Sequence, residues 1–157
     1  MVAVFAGSVT SDFVDYNNHM NDAAYALVFS RAADGFFALA GIDAASRART
    51  GLTIYTLAML IRYQREARLG EALHVSARIL EHDARRVRLW LEMARGESGA
   101  ALASCEQVLL CMRQSPEGAK AASFAPGVAA WLDATGRAQA VLVWPEAAGR
   151  GITLTRR

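Results

Sequence analysis

The sequence predicts an α+β fold in which an antiparallel sheet wraps one long, buried helix. Three observations lead there. From Asp22 to Ala40 the apolar residues Ala24, Leu27, Val28, Ala32, Phe36 and Leu39 recur at three and four, with only Arg31 and Asp34 charged in the body. From Leu73 onward, three stretches alternate apolar and polar residues and are joined by short turns, which is the pattern of a meander. A length of 157 residues suits a single core of this kind.

Val2 to Val14 reads as a first strand with an irregular middle at Gly7-Ser8. Asn21 is a good N-cap for the helix, Asp22 falls in its first turn, and Gly41 suits the position after its last turn. Ile42 to Gly51 reads as a polar connection. Leu52 to Gln64 is apolar on both alternating sets, which predicts a strand covered on both faces. A charged turn, Arg65 to Glu71, leads into the meander strands Leu73 to Leu80, Val87 to Arg95 and Ala100 to Met112. After a small-residue linker, Ser115 to Ser123, a second helix is expected over Phe124 to Ala138, with Pro126 at its start and Trp131 and Leu132 on one face. The expected organisation is a main domain over 1–114 and a C-terminal extension over 115–157 packed on it.

Several classes are excluded or disfavoured. The net charge is +2, with no basic stripe and no interleaved aromatic run, so no nucleic-acid partner is expected. No apolar run is long enough to span a membrane, and Met1 to Val9 has no signal-peptide layout, so the expected location is the cytoplasm. Cys105 and Cys111 lie about 20 Å apart along one strand, too far for a disulfide. His74 and His82 have no ligand-like company, so no metal is expected. The 54% apolar composition is high for so small a domain and predicts a homodimer or homotetramer.

The chemistry concentrates in Asp15-Tyr16-Asn17-Asn18-His19-Met20-Asn21-Asp22, between the first strand and the helix. An acid beside a helix start is what acyl transfer requires: a group to attack or to activate water, and free N–H groups to hold an oxyanion. The spacing Asp15-x-x-x-His19-x-Asn21-x-x-x-Tyr25 resembles the hotdog-fold acyl-CoA thioesterases of the 4-hydroxybenzoyl-CoA type. Asn18 stands where that motif has Gly, Phe13 where many members carry an earlier acid, and Ser30 where many carry a helical Glu. The resemblance extends through Ile61 to Glu71. It implies a hotdog fold with about five strands and a C-terminal helical extension. It also implies an acyl-CoA substrate and no cofactor beyond the CoA that the substrate brings. Its site residues would be Asp15, His19 and Asn21 for catalysis, with Asp15 as nucleophile or general base. Asp22 and Tyr25 would contact substrate, and Arg85 and Arg86 would clamp the CoA phosphates.

The tail Val143 to Ile152 and the run Tyr16 to Asn21 are similar to the betainyl-CoA thioesterases of carnitine breakdown, in which the domain often follows a carnitine dehydrogenase on the same chain. That likeness implies a functional link to such a dehydrogenase. It also implies an acyl group bearing a quaternary ammonium, a cation held by aromatic faces, for which Tyr16 and Trp144 are the candidates. A neutral short-chain or aromatic acyl-CoA is the alternative substrate, and an acyl-CoA-binding module without catalysis is the alternative class.

Overall fold

The computed structural model describes residues 1–152. Its elements are β1 (Val2–Ser8), α1 (Asp22–Leu39), α2 (Ala44–Thr50), β2 (Leu52–Tyr63), β3 (Ala72–His82), β4 (Arg86–Arg95), β5 (Ala101–Arg113), β6 (Lys120–Ala121) and α3 (Pro126–Gln139). The strands form one antiparallel sheet in the order β1-β3-β4-β5-β2, with β6 added to the end of β5. The predicted meander is β3-β4-β5. Its inward residues Leu73, Val75, Ala77, Val87, Leu89, Leu91 and Met93 join Val28, Phe29, Ala32, Phe36 and Phe37 of α1 in one core. At Gly35 a Cβ would stand 2.1 Å from the Val4 carbonyl oxygen, so only glycine lets α1 sit this close to β1. No single helix among the described residues is long and apolar enough to cross a membrane.

The structure departs from expectation in four places. β1 stops at Ser8, and a single 3-10 turn, Ser11–Phe13, follows it. The expected polar connection contains α2: Asp43 accepts from Ser46 N at 2.7 Å as the N-cap, and Gly51 ends the helix at φ 68°. β2 is an edge strand rather than a doubly covered one, and Leu57 at its middle is 55% exposed. A register shift between Thr56 and Ala58 bulges this edge. A sixth, two-residue strand was not expected.

The C-terminal segment has a definite course. Leu132 of α3 is in the core, and Trp131 meets Phe36 edge-on with ring centroids 5.1 Å apart. Beyond α3 the chain crosses the outer face of the sheet as a strap. Arg78 of β3 donates to the carbonyls of Val143 and Leu142, at 2.6 and 3.3 Å. Glu106 of β5 accepts from Gly149 N at 2.9 Å, and Arg62 of β2 donates to the Arg150 carbonyl. Arg78, Trp90 and Glu106 are cross-strand neighbours in register, so the strap follows one row from β3 to β5 and reaches β2 at its end. Trp90 lies in that row, buried yet outside the core cluster. Arg88 reinforces the row by pairing with both Glu106 and Glu81.

Candidate active site

A five-residue turn precedes α1, and backbone bonds close it. Asp15 N donates to the His19 carbonyl, and Asn18 N donates to the Asp15 carbonyl, both at 3.0 Å. Asn18 takes φ 59°, the left-handed conformation that asparagine tolerates where the motif has glycine. The turn is then fastened to its surroundings. Met20 N donates to the Ala67 carbonyl at 2.8 Å, and His19 bridges to Arg68.

The N–H and the side chain of Asn21 make three bonds within the chain. Its N–H and its Nδ2 both donate to the Phe13 carbonyl, at 2.8 and 2.9 Å, and its Oδ1 accepts from Ala24 N at 2.9 Å. The resemblance places Asn21 among the catalytic groups. With its polar atoms committed in this way, it acts as a cap and a strut. His19 Nε2 stands 2.9 Å from Glu66 Oε2, which ties the turn to the loop between β2 and β3. Its side chain is engaged there rather than at Asp15. Beside that pair opens a polar groove of about 510 Å³, lined by Gln64, Arg65, Glu66, Arg68, Glu71 and Arg95.

Several polar atoms of the motif have no partner among the described residues, the exposed side-chain amides of Asn17 and Asn18 included, and two of these unpaired atoms suit acyl transfer. Asp15 Oδ1 accepts from Asn17 N at 2.8 Å, which orients the carboxylate, and Oδ2 has no partner among the described residues. The Asp22 N–H, first in α1, likewise donates to nothing among the described residues. It points out of a helix N-terminus, where the partial positive charge favours an anion. Asp22 Oδ1 accepts from Ala23 N at 2.9 Å. Tyr25 is buried, and its hydroxyl donates to the Arg65 carbonyl at 3.1 Å. Burial chiefly raises its pKa, so the phenol stays protonated. Tyr25 therefore supports the site from beneath.

The remaining candidates lie elsewhere in the same chain. Tyr16 is at the turn but 94% exposed. Trp144 rides on the strap with its ring 5.9 Å from the Arg78 guanidinium, so a cation of the protein already sits over it. Arg85 and Arg86 lie at the β3–β4 turn. Val9 and Met20 fix the motif near the opposite end of β3, and the strand's length separates the two regions by about 30 Å. Physical distance thus prevents one subunit from bringing these arginines to its own Asp15. Asp83 organises their turn by accepting from Arg85 N, Arg86 N and the Arg86 guanidinium, and these bonds hold its pKa down at about 2. The Arg85 side chain is left without a partner among the described residues.

Sequence reasoning passed over Glu66 and Tyr63. Tyr63 ends β2, meets Tyr25 edge-on at 5.3 Å between centroids, and donates to the Asp22 carbonyl at 3.4 Å. Only the curl of the sheet around α1 brings it there, so no local signal could have found it.

Known proteins agree with this geometry. Residues 9–132 match the Thioesterase-like superfamily. The betainyl-CoA thioesterase of Pseudomonas aeruginosa is 34% identical over 154 residues, 98% of this chain and 96% of that protein. The L-carnitine dehydrogenase/betainyl-CoA thioesterase of Rhizobium meliloti is 31% identical over 147 residues, 92% of this chain but 28% of that longer protein. Among solved structures, a Staphylococcus aureus protein in complex with CoA superposes with a TM-score of 0.86 at 27% identity, covering 99% of this chain and 98% of that one. A putative thioesterase of Pseudomonas putida follows with a TM-score of 0.82 at 30% identity, covering 99% and 97%. With its curled sheet, its central helix and the acid-bearing turn at the helix start, the chain belongs to the thioesterase-like superfamily of hotdog-fold acyl-CoA hydrolases.

Proposed function

We propose that this protein hydrolyses betainyl-CoA to glycine betaine and CoA, and so acts beside a carnitine dehydrogenase. The observation that carries this is the near full-length likeness to a betainyl-CoA thioesterase, which includes the strap region as well as the motif. The Asp15 carboxylate, oriented by Asn17 N and free at Oδ2, either attacks the thioester carbonyl or takes a proton from the attacking water. The Asp22 N–H holds the oxyanion as it develops. His19 and Asn21 position the turn. Two subunits share each site: one supplies the Asp15 turn, and the β3–β4 turn of the other brings Arg85 to the CoA phosphates. The cation beside the thioester makes its carbonyl unusually electrophilic, so one carboxylate suffices without the helical Glu that Ser30 replaces.

The test is hydrolysis of a panel of acyl-CoAs, followed by a thiol-trapping dye, with the wild type and Asp15→Asn. The variant keeps an oxygen acceptor for Asn17 N and should lose at least about a hundredfold in kcat. Undiminished turnover would remove Asp15 from the chemistry. Flat traces with every substrate would leave an acyl-CoA-binding module. Direct attack expels the CoA thiolate and leaves an anhydride on Asp15, and label found in the Asp15 carboxylate after one turnover in labelled water identifies that route, with water opening the anhydride at the Asp15 carbonyl.

A further inference from the structure

In betainyl-CoA the ammonium is one methylene from the carbonyl that reacts. Whatever reads the cation must therefore stand next to the oxyanion site, and an aromatic face must come within about 6 Å of the charge. Four aromatic side chains are exposed among the described residues: Tyr16, Tyr55, Tyr63 and Trp144. Trp144 lies on the outer face with Arg78 over its ring. Tyr55 is eight residues back along β2, about 26 Å away. Tyr16 stands almost wholly in water, where a cation–π contact is at its weakest.

Of the four, Tyr63 is the one bonded to the residue that opens α1. Its hydroxyl bonds to the carbonyl of Asp22, the residue whose N–H is free at the helix start. Its ring is braced edge-on by the buried Tyr25, yet Tyr63 remains 54% exposed and has surface to offer a ligand. Negative charge is at hand too. After burial, the charge of Asp22 is the next cause that raises the Tyr63 pKa, so the carboxylate's field reaches this ring. We infer that Tyr63 is the specificity-determining residue for the quaternary ammonium, its ring receiving the trimethylammonium while the Asp22 N–H receives the carbonyl oxygen. This rests on the betainyl-CoA reading above.

The experiment compares kcat/KM for betainyl-CoA with that for 3,3-dimethylbutyryl-CoA, which has nearly the same shape and no charge. The ratio is divided by the ratio for hydroxide in solution, which removes the intrinsic activation. In the wild type the corrected ratio should lie between about three, the value of an exposed cation–π contact, and about thirty, that of one desolvated by the bound substrate. Tyr63→Phe keeps the ring and should keep the ratio. Tyr63→Leu should bring it close to one. Should Tyr63→Leu fail to fold, phenylalanines of increasing fluorination at the same position keep the shape and drain the ring face, and the ratio should fall stepwise. A wild-type ratio near one overturns the betainyl-CoA reading itself. A high wild-type ratio that survives Tyr63→Leu or fluorination overturns the role of Tyr63 alone, as does a ratio lost already in Tyr63→Phe.

Discussion

Glu106 holds the strap at its far end, and Glu106→Gln tests whether the strap is a structural part of the fold. Its carboxylate accepts from Arg88 Nε at 2.7 Å and Arg88 NH2 at 2.5 Å through one oxygen, and from Gly149 N at 2.9 Å through the other. An amide has one accepting oxygen, so at least one of these donors loses its partner. The side chains of Arg88 and Glu106 are 21% and 14% exposed, which places the pair between a surface bridge and a fully buried one. Surface pairs contribute about 0–1 kcal/mol, and breaking a buried pair costs about 3–5. Arg88 keeps Glu81 at 2.9 Å, which softens the loss. The expected cost is about 2 kcal/mol, or about 4–8 °C in Tm for a chain of this size. Calorimetry measures that shift, and limited proteolysis should show earlier cleavage after Leu142. A Tm within about 1 °C of wild type, with an unchanged cleavage pattern, would refute the idea that the Glu106 anchor holds the strap.

Two further predictions concern assembly and pH. Sedimentation should give a dimer of twice the 16.9 kDa chain mass, and Leu57→Asp, on the exposed edge of β2, should give a monomer; a variant that stays dimeric places the interface elsewhere. The Asp83 carboxyl should titrate near 2 by NMR, against about 3.9 in an unfolded chain. Because its folded pKa is the lower, its contribution to the β3–β4 turn is complete above about pH 4 and is lost as pH falls through 2. A midpoint close to 4 would mean that the turn bonds do not persist in solution.

What the sequence disclosed depended on how local each cause was. The alternation in β3, β4 and β5 reports which face meets the core, and Asn21 reports the start of α1 through its own side chain. α2 was also legible in principle, since Asp43 caps Ser46 and Gly51 closes the helix, but seven residues offer too few turns for a periodic signal. β2 misled for a different reason. Its residues are apolar on both faces, as in a central strand, but within one chain it lies at the edge. The tail carried a family likeness, but its course across the sheet left no local signature, because carbonyls and a glycine N–H make its bonds and any sequence supplies those. For the same reason Trp144 read as a free aromatic, although Arg78 lies over it.

The candidate site was legible as a cluster of polar residues but not as a division of labour, which follows from hydrogen-bond accounting. Buried or turn-bound polar groups are paired because leaving them unpaired is costly. Where most members of a cluster are paired, the exceptions mark what a ligand completes. The N–H and side chain of Asn21 make three bonds inside the chain, His19 stands against Glu66, and the Tyr25 hydroxyl is held by the Arg65 carbonyl. Beside the water-exposed side chains of Tyr16, Asn17 and Asn18 and the second oxygen of Asp22, what remains is one carboxylate oxygen of Asp15, the N–H of Asp22 and the exposed ring of Tyr63. These are an acceptor for a proton or a carbonyl carbon, a donor for an oxyanion, and a face for a cation. On the reading proposed above, a thioester with an ammonium one methylene from its carbonyl satisfies all three together, whereas a neutral acyl group leaves the ring without a charge to read.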